Sequence, residues 1–154
     1  MNYKHLTEVI KENAQRFSTK NAIFYKNVKT KNWEGVSWDS FYTQIQKVSK
    51  ALLNFGIKEQ QNVAICAQNM TEWMIADIAI MNTRAVTVPI YATNSKKETE
   101  YIINDAEISV IFVGEQEEFN IAAEISKTNK FLKLIVALTP TVDLKGNANA
   151  VYFT

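Results

Sequence analysis

The stretch VAICAQNMTEWMIADIAIMNTRAVTVPIYATNSKKETEYIINDAEISVIFV, Val63 to Val113, decides the fold. It contains three apolar runs, Val63 to Ala67, Val86 to Ile90 and Val110 to Val113, and between them two segments of helical character, Thr71 to Asn82 and Ser95 to Asp105. A third helical segment, Glu117 to Thr128, leads to a fourth apolar run, Leu134 to Leu138. The runs are centred about 23 residues apart, which is room for a strand and a helix and suits right-handed crossovers between parallel strands. VIFV and LIVAL are apolar at successive positions, as strands are when both faces of a sheet are covered. The expected architecture is α/β: an open, mainly parallel sheet with flanking helices. A leucine-rich solenoid has a similar period, but its LxxLxLxxN signature is missing.

Upstream, Leu6, Val9, Ile10, Ala14 and Phe17 fall at helical spacing and predict an amphipathic helix within 1–21. From 22 to 38 the aromatic runs AIFY and WEGVSW flank the polar stretch Lys26 to Asn32, the pattern of a two-stranded ribbon. Ser37 is a candidate N-cap for a helix over 39–56, in which Phe41, Ile45, Val48, Leu52 and Phe55 form the apolar stripe and Gly56 supplies the left-handed stop. Ser95 and Glu98 match a capping box, and Asn69 with Glu72 resembles one. Residues 1–139 thus read as one α/β unit, with the regular alternation over 63–139. Pro140 to Ala150 is rich in Asn, Thr and Gly, so 140–154 reads as a turn or linker toward a catalytic region further on.

The chain has 154 residues, 47% of them hydrophobic, enough for one globular core. Seventeen Lys and Arg against 16 Asp and Glu leave a net charge of +1, and Arg16 and Arg84 are the sole guanidinium groups, so nucleic acid is not an expected partner. The N-terminal sequence has no continuous apolar segment of signal-peptide type. Met74 to Met81 is interrupted by Asp77 and closed by Arg84, short of the roughly 20 residues that cross a bilayer. A single cysteine, Cys66, precludes an internal disulfide and suits a reducing compartment, with the cytoplasm as the expected location.

Ligands of open parallel sheets gather beyond the carboxyl ends of the strands, here the loops Gln68 to Thr71, Tyr91 to Ser95, Gly114 to Glu118 and Thr139 to Lys145. A polyphosphate cradle needs consecutive backbone amides that glycine brings close, yet Gly35, Gly56, Gly114 and Gly146 are scattered, with neither GxGxxG nor GxxxxGK[ST]. His5 reads as a surface side chain of the first helix, and Cys66, inside an apolar strand, as an inert thiol. Asp77 lacks a second acid at fixed spacing. Glu115, Glu117 and Glu118 suit a helix start without a metal. Trp33, Trp38 and Trp73 read as core and ribbon anchors. No catalytic or metal-binding residue is assigned.

The stretch Gly56 to Gly114 resembles the early region of AMP-forming acyl-CoA synthetases, especially the long-chain fatty acid ligases of the adenylate-forming superfamily. The features that carry the likeness are VAI followed by Asn69, Glu72 and Trp73, then AVTVPIY with Pro89, then EYIINDAE and VIFV, in that order and spacing. The chain departs from the family pattern at Gln61 and Asn62, where Gly-Asp is usual, at Thr71 in place of Pro, and at Arg84 and Ala85, where Gly precedes AV; these positions shape turns and packing.

The resemblance implies attack of a carboxylate on the α-phosphorus of ATP with Mg2+, giving an acyl-adenylate and pyrophosphate, followed by displacement of AMP by the thiol of coenzyme A. It also implies that Tyr91, Ala92, Thr93 and Asn94 lie along the coenzyme A path. Some short-chain members place phosphate-binding arginines after the next strand, but the glutamates at 115, 117 and 118 would repel that phosphate.

The family's phosphate loop does not occur between Met1 and Thr154. The chain therefore reads as an N-terminal piece of a long-chain fatty acid–CoA ligase, inactive alone and without tight binding of ATP, Mg2+ or coenzyme A. Its partner would be the rest of the ligase chain. Apolar surface left uncovered would favour self-association, and the parent ligase is a candidate for peripheral membrane association. The alternatives are a free-standing, non-catalytic α/β binding or interaction module, or part of another adenylate-forming enzyme. A reading frame that continues into a Thr/Ser/Gly-rich loop would support the ligase, and a natural stop codon the module.

Overall fold

The computed structural model describes residues 4–27 and 29–153. Helix α1 (Leu6–Phe17) leads into the antiparallel ribbon β1 (Asn21–Lys26) and β2 (Trp33–Ser37), then helix α2 (Trp38–Phe55). Ser37 caps α2 by accepting from the Ser40 N–H at 3.2 Å. Gly56 ends the helix with φ near +101°, a left-handed conformation that costs a residue with a Cβ about 1 kcal/mol or more.

The alternation that follows is β3 (Asn62–Cys66), α3 (Thr71–Asn82), β4 (Val86–Ile90), α4 (Lys96–Asp105), β5 (Val110–Val113), α5 (Gln116–Ser126), β6 (Leu134–Ala137) and β7 (Ala150–Tyr152). The five strands form one parallel sheet in the order β4-β3-β5-β6-β7. The expected α/β architecture, with its N-terminal helix and ribbon, is what the chain adopts.

Both faces of the sheet are covered. Val63, Ile65, Val110, Phe112 and Val136 face α1, α2 and α3, meeting Ile10, Phe41, Ile45, Leu52, Ile75 and Ile80. Ala64, Ile111, Val113, Ile135 and Ala137 face α4 and α5, meeting Ile103, Phe119, Ala122 and Ile125. Successive residues Val63–Cys66, Val110–Val113 and Ile135–Ala137 are therefore all buried while pointing to opposite sides, which accounts for the unbroken apolar runs. Helix α3 buries Ile75, Ala76, Ile78, Ala79 and Ile80, a width of apolar surface explained by its position between the sheet and α2.

Three local expectations are corrected. The region 140–154 is not a linker throughout, because β7 joins the sheet there: Ile135 pairs with Ala150, and Phe153 packs edge-on against Phe112 at 6.1 Å between ring centres. Asn69 is not the cap of α3. The chain stays extended for one more residue, and Met70 occupies the N-cap position without a side-chain bond. His5 sits at the N-cap of α1 and not within its first turn, and its N–H donates to the Glu8 carboxylate at 3.2 Å.

Candidate functional site

Strand order reverses at β3: the chain steps outward to β4, then crosses back to β5. The crevice at such a switch point, beyond the carboxyl ends of β3 and β5, is where ligands enter open α/β sheets. Here the β3–β5 ladder continues to the floor of that crevice. The Gly114 N–H donates to the Cys66 carbonyl at 3.2 Å, and a Cβ added at Gly114 would lie 2.8 Å from that of Ala67. The Gly114 carbonyl accepts from Thr139 Oγ1 at 3.1 Å. Glycine serves here to let two backbones touch, and the amide is spent on a neighbouring strand.

The acidic start of α5 has a structural task. The buried Glu118 carboxylate reaches back to accept from the Glu115 N–H at 2.9 Å, closing the first turn, while Glu115 and Glu117 remain exposed. Beside it, Gln116 clamps the β6–β7 connection. Its Oε1 accepts from the Asp143 N–H at 2.7 Å, and its Nε2 donates to the Asp143 carbonyl at 3.1 Å. Lys145 Nζ donates to Asn120 Oδ1 at 2.8 Å, a second tie between this connection and α5.

Cys66 is buried at the end of β3, where loss of solvent and, secondarily, the Glu118 charge push its thiol up to about 12. A thiol so disposed is almost wholly protonated near neutral pH and is not a nucleophile. Both guanidinium groups lie elsewhere. Arg84 pairs with Glu59 at 2.7 Å, and Arg16 stacks on Phe17 with 5.0 Å from its central carbon to the ring centre.

Tyr91, Ala92, Thr93 and Asn94 form the turn between β4 and α4, closed by an Asn94 N–H to Tyr91 carbonyl bond of 3.0 Å. The Tyr91 side chain is 81% exposed. Asn94 borders a shallow depression of about 680 Å³ that also involves Ser95, Lys97, Glu98, Tyr101 and Ile102. Ser95 forms the expected capping box with Glu98, with Ser95 N–H to carboxylate 2.8 Å and Glu98 N–H to hydroxyl 3.3 Å. The Ser95 hydroxyl and then its N–H hold the Glu98 carboxyl below the usual carboxylate range.

The sequence reading missed two features. The close approach at Gly114 was signalled by a glycine directly after a fully apolar strand. Trp33 is not a buried anchor but 70% exposed, unlike Trp38, which packs edge-on against Phe41 at 6.2 Å.

Residues 10–151 match the family described as "AMP-binding enzyme", nearly the whole α/β unit and into β7. The chain belongs to that family. Over 113 residues, 73% of its length, it is 30% identical to the mouse long-chain-fatty-acid–CoA ligase ACSBG2, of which it covers 17%. Over 116 residues, 75% of its length, it is 28% identical to the ligase FadD15 of Mycobacterium bovis, of which it covers 19%. It thus spans under a fifth of the length of these curated relatives. Among solved structures, the acetoacetyl-CoA synthetase of Streptomyces lividans superposes with a TM-score of 0.84 at 14% identity, over 96% of this chain and 24% of that one. The coronafacic acid ligase of Pectobacterium brasiliense does so with 0.81 at 18% identity, over 95% and 27%. At these identities the likeness is one of fold. As an AMP-binding enzyme family member, the chain supplies the α/β layer and none of the phosphate-cradling glycine pattern.

Proposed function

We propose that this chain is the N-terminal scaffold of a long-chain fatty acid–CoA ligase, which joins a fatty acid to coenzyme A through an acyl-adenylate at the expense of ATP. The observation that carries this reading is the family match over 10–151, in a chain whose glycines are scattered and whose Gly114, at the sheet's mouth, packs against Ala67. The residues at the sheet's mouth do not fit a nucleotide triphosphate: Gly114 is used in packing, and the exposed Glu115 and Glu117 oppose phosphate. ATP and Mg2+ are therefore assigned to other parts of the parent ligase, and the chain alone performs no adenylation.

The test is direct. The purified chain is mixed with ATP, Mg2+, a long-chain fatty acid and coenzyme A, and pyrophosphate is measured. Release at the level of the uncatalysed blank is expected, and turnover above it refutes the scaffold reading.

The turn Tyr91 to Asn94 is proposed as one wall of the coenzyme A channel in the assembled ligase. Its support is an exposed tyrosine and a half-buried amide side chain beside an open depression, groups suited to the amides and alkyl links of pantetheine. Thr93→Ala with Asn94→Ala in the full-length ligase is expected to weaken coenzyme A binding about tenfold, corresponding to about one lost hydrogen bond. Unchanged affinity removes the assignment.

A further inference from the structure

Strand β7 is reached by a crossover without a helix. Parallel neighbours are ordinarily joined through a helix whose apolar face seats the next strand on the sheet, but residues 138–149 pass from β6 to β7 as turns alone. Side chains of α5 hold this connection instead. The Gln116 carboxamide pairs with the Asp143 backbone as a neighbouring strand would, accepting from its N–H at 2.7 Å and donating to its carbonyl at 3.1 Å. Gln116 Nε2 also donates to Asn120 Oδ1 at 3.2 Å, the same oxygen that receives Lys145 Nζ at 2.8 Å.

The segment held in this way is strained. Lys145 and Gly146 have consecutive left-handed conformations, with φ of +50° and +66°, in a turn closed by the Asn147 N–H to Leu144 carbonyl bond of 2.9 Å. Asn, Asp or Gly is usual at the first of these positions, not lysine. The Lys145 N–H donates to Asp143 Oδ1 at 2.8 Å, so the residue that Gln116 grips also fixes the strained turn. Strain persists where the surroundings over-determine a conformation, and such places cluster where position matters to function.

The position at stake is that of β7. Because β7 runs parallel to β6, its carboxyl end at Tyr152 opens on the side of the sheet where ligands gather. Tyr152 Oη donates to the Val142 carbonyl at 2.9 Å, next to the residue that Gln116 grips, so strand and connection are tied together. On the ligase reading, on which this inference rests, the chain continues from β7 into the part that holds ATP.

We propose that Gln116 is a positioning residue for adenylation: by fixing Asp143 it sets the point at which the chain leaves β7 on the ligand side. Gln116 touches no reacting atom and acts through the Asp143 backbone.

The experiment is fatty-acid-dependent ATP–pyrophosphate exchange by the full-length ligase, for the parent, Gln116→Ala and Gln116→Glu, with amide hydrogen exchange of each. Gln116→Ala should raise KM for ATP about tenfold and leave KM for the fatty acid unchanged, with faster hydrogen exchange at Asp143, Val151 and Phe153 but not in β3. Gln116→Glu, whose carboxylate can accept from the Asp143 N–H but not donate to its carbonyl, should fall between the two. A scaffold that is merely less stable loses folded enzyme, which lowers kcat and leaves both KM values as they were, and that result overturns the proposal. So does an unchanged KM for ATP, or unchanged hydrogen exchange at Asp143 in Gln116→Ala. Absence of pyrophosphate exchange in the parent enzyme is a different failure: it refutes the ligase reading, and this inference with it.

Discussion

Gly114 and Cys66 show what single residues do at the mouth of the sheet. An added Cβ at 114 meets the Cβ of Ala67 at 2.8 Å and its Cα at 3.2 Å, and no flexible side chain is available to yield. Gly114→Ala should therefore destabilise the chain by about 1–3 kcal/mol, the usual result of overpacking, seen as a lower urea midpoint with an unchanged slope. Cys66 makes a different prediction. Its thiol is raised to about 12, first by burial and then by Glu118, so the folded state favours the protonated form more than the unfolded state does. The associated stability is fully present below the ordinary thiol range and is lost as pH rises toward 12. Urea midpoints from pH 8 to 11 should fall less steeply in Cys66→Ala than in the parent, and a disulfide reagent at pH 8 should label Cys66 only as fast as the chain opens.

At the scale of elements, α4 was legible because its signal is local. Ser95 and Glu98 are three residues apart in sequence, and each satisfies the other's orphan N–H in the fold. Ser95→Ala should cost about 1 kcal/mol. The Ser95 hydroxyl and N–H depress the Glu98 carboxyl, so its contribution is present above the usual carboxylate range and lost as pH falls through the lowered value. Ser95→Ala removes the larger cause, and the acid limb of a stability curve between pH 5 and 2 should become shallower. Asn69 carries the same kind of signal and does not cap, because the exit of β3 leaves Met70 extended at that position. The ribbon shows where local reading stops: aromatic content predicted both strands, but only the register reveals that Trp33 faces solvent and Tyr25 faces Glu34. The candidate coenzyme A turn was placed by resemblance, whereas the contact between Gly114 and Ala67 is long-range and visible only in three dimensions.

For the whole molecule, the double-sided burial of β3, β5 and β6 was readable from their apolar runs, whereas which strands end the sheet was not. At one end, the Val86 N–H donates to Gln61 on the β3 side, so alternation turns position 89 outward, where Pro89 has no N–H to offer a further strand. At the other end, β7 is three residues long and follows an Asn- and Gly-rich connection, so its sequence carries little strand signal. Tertiary contacts supply what the sequence lacks. The Phe153 N–H donates to the Ala137 carbonyl at 2.9 Å, Tyr152 Oη donates to the Val142 carbonyl at 2.9 Å, and the Phe153 ring meets Phe112 at an interplanar angle of 76°. Phe112 is almost fully buried beneath α1–α3, so the last strand is fastened to the main core and not merely to its neighbour. Phe153→Ala should then lower stability by about 1–3 kcal/mol, less than truncation of a fully buried phenylalanine because the ring is half-buried. The same variant should speed hydrogen exchange at β7 amides more than at β3. If stability and β7 exchange both stay at the parent values, the strand is not held by this contact. A uniform rise across all strands would instead make β7 part of the global unfolding unit.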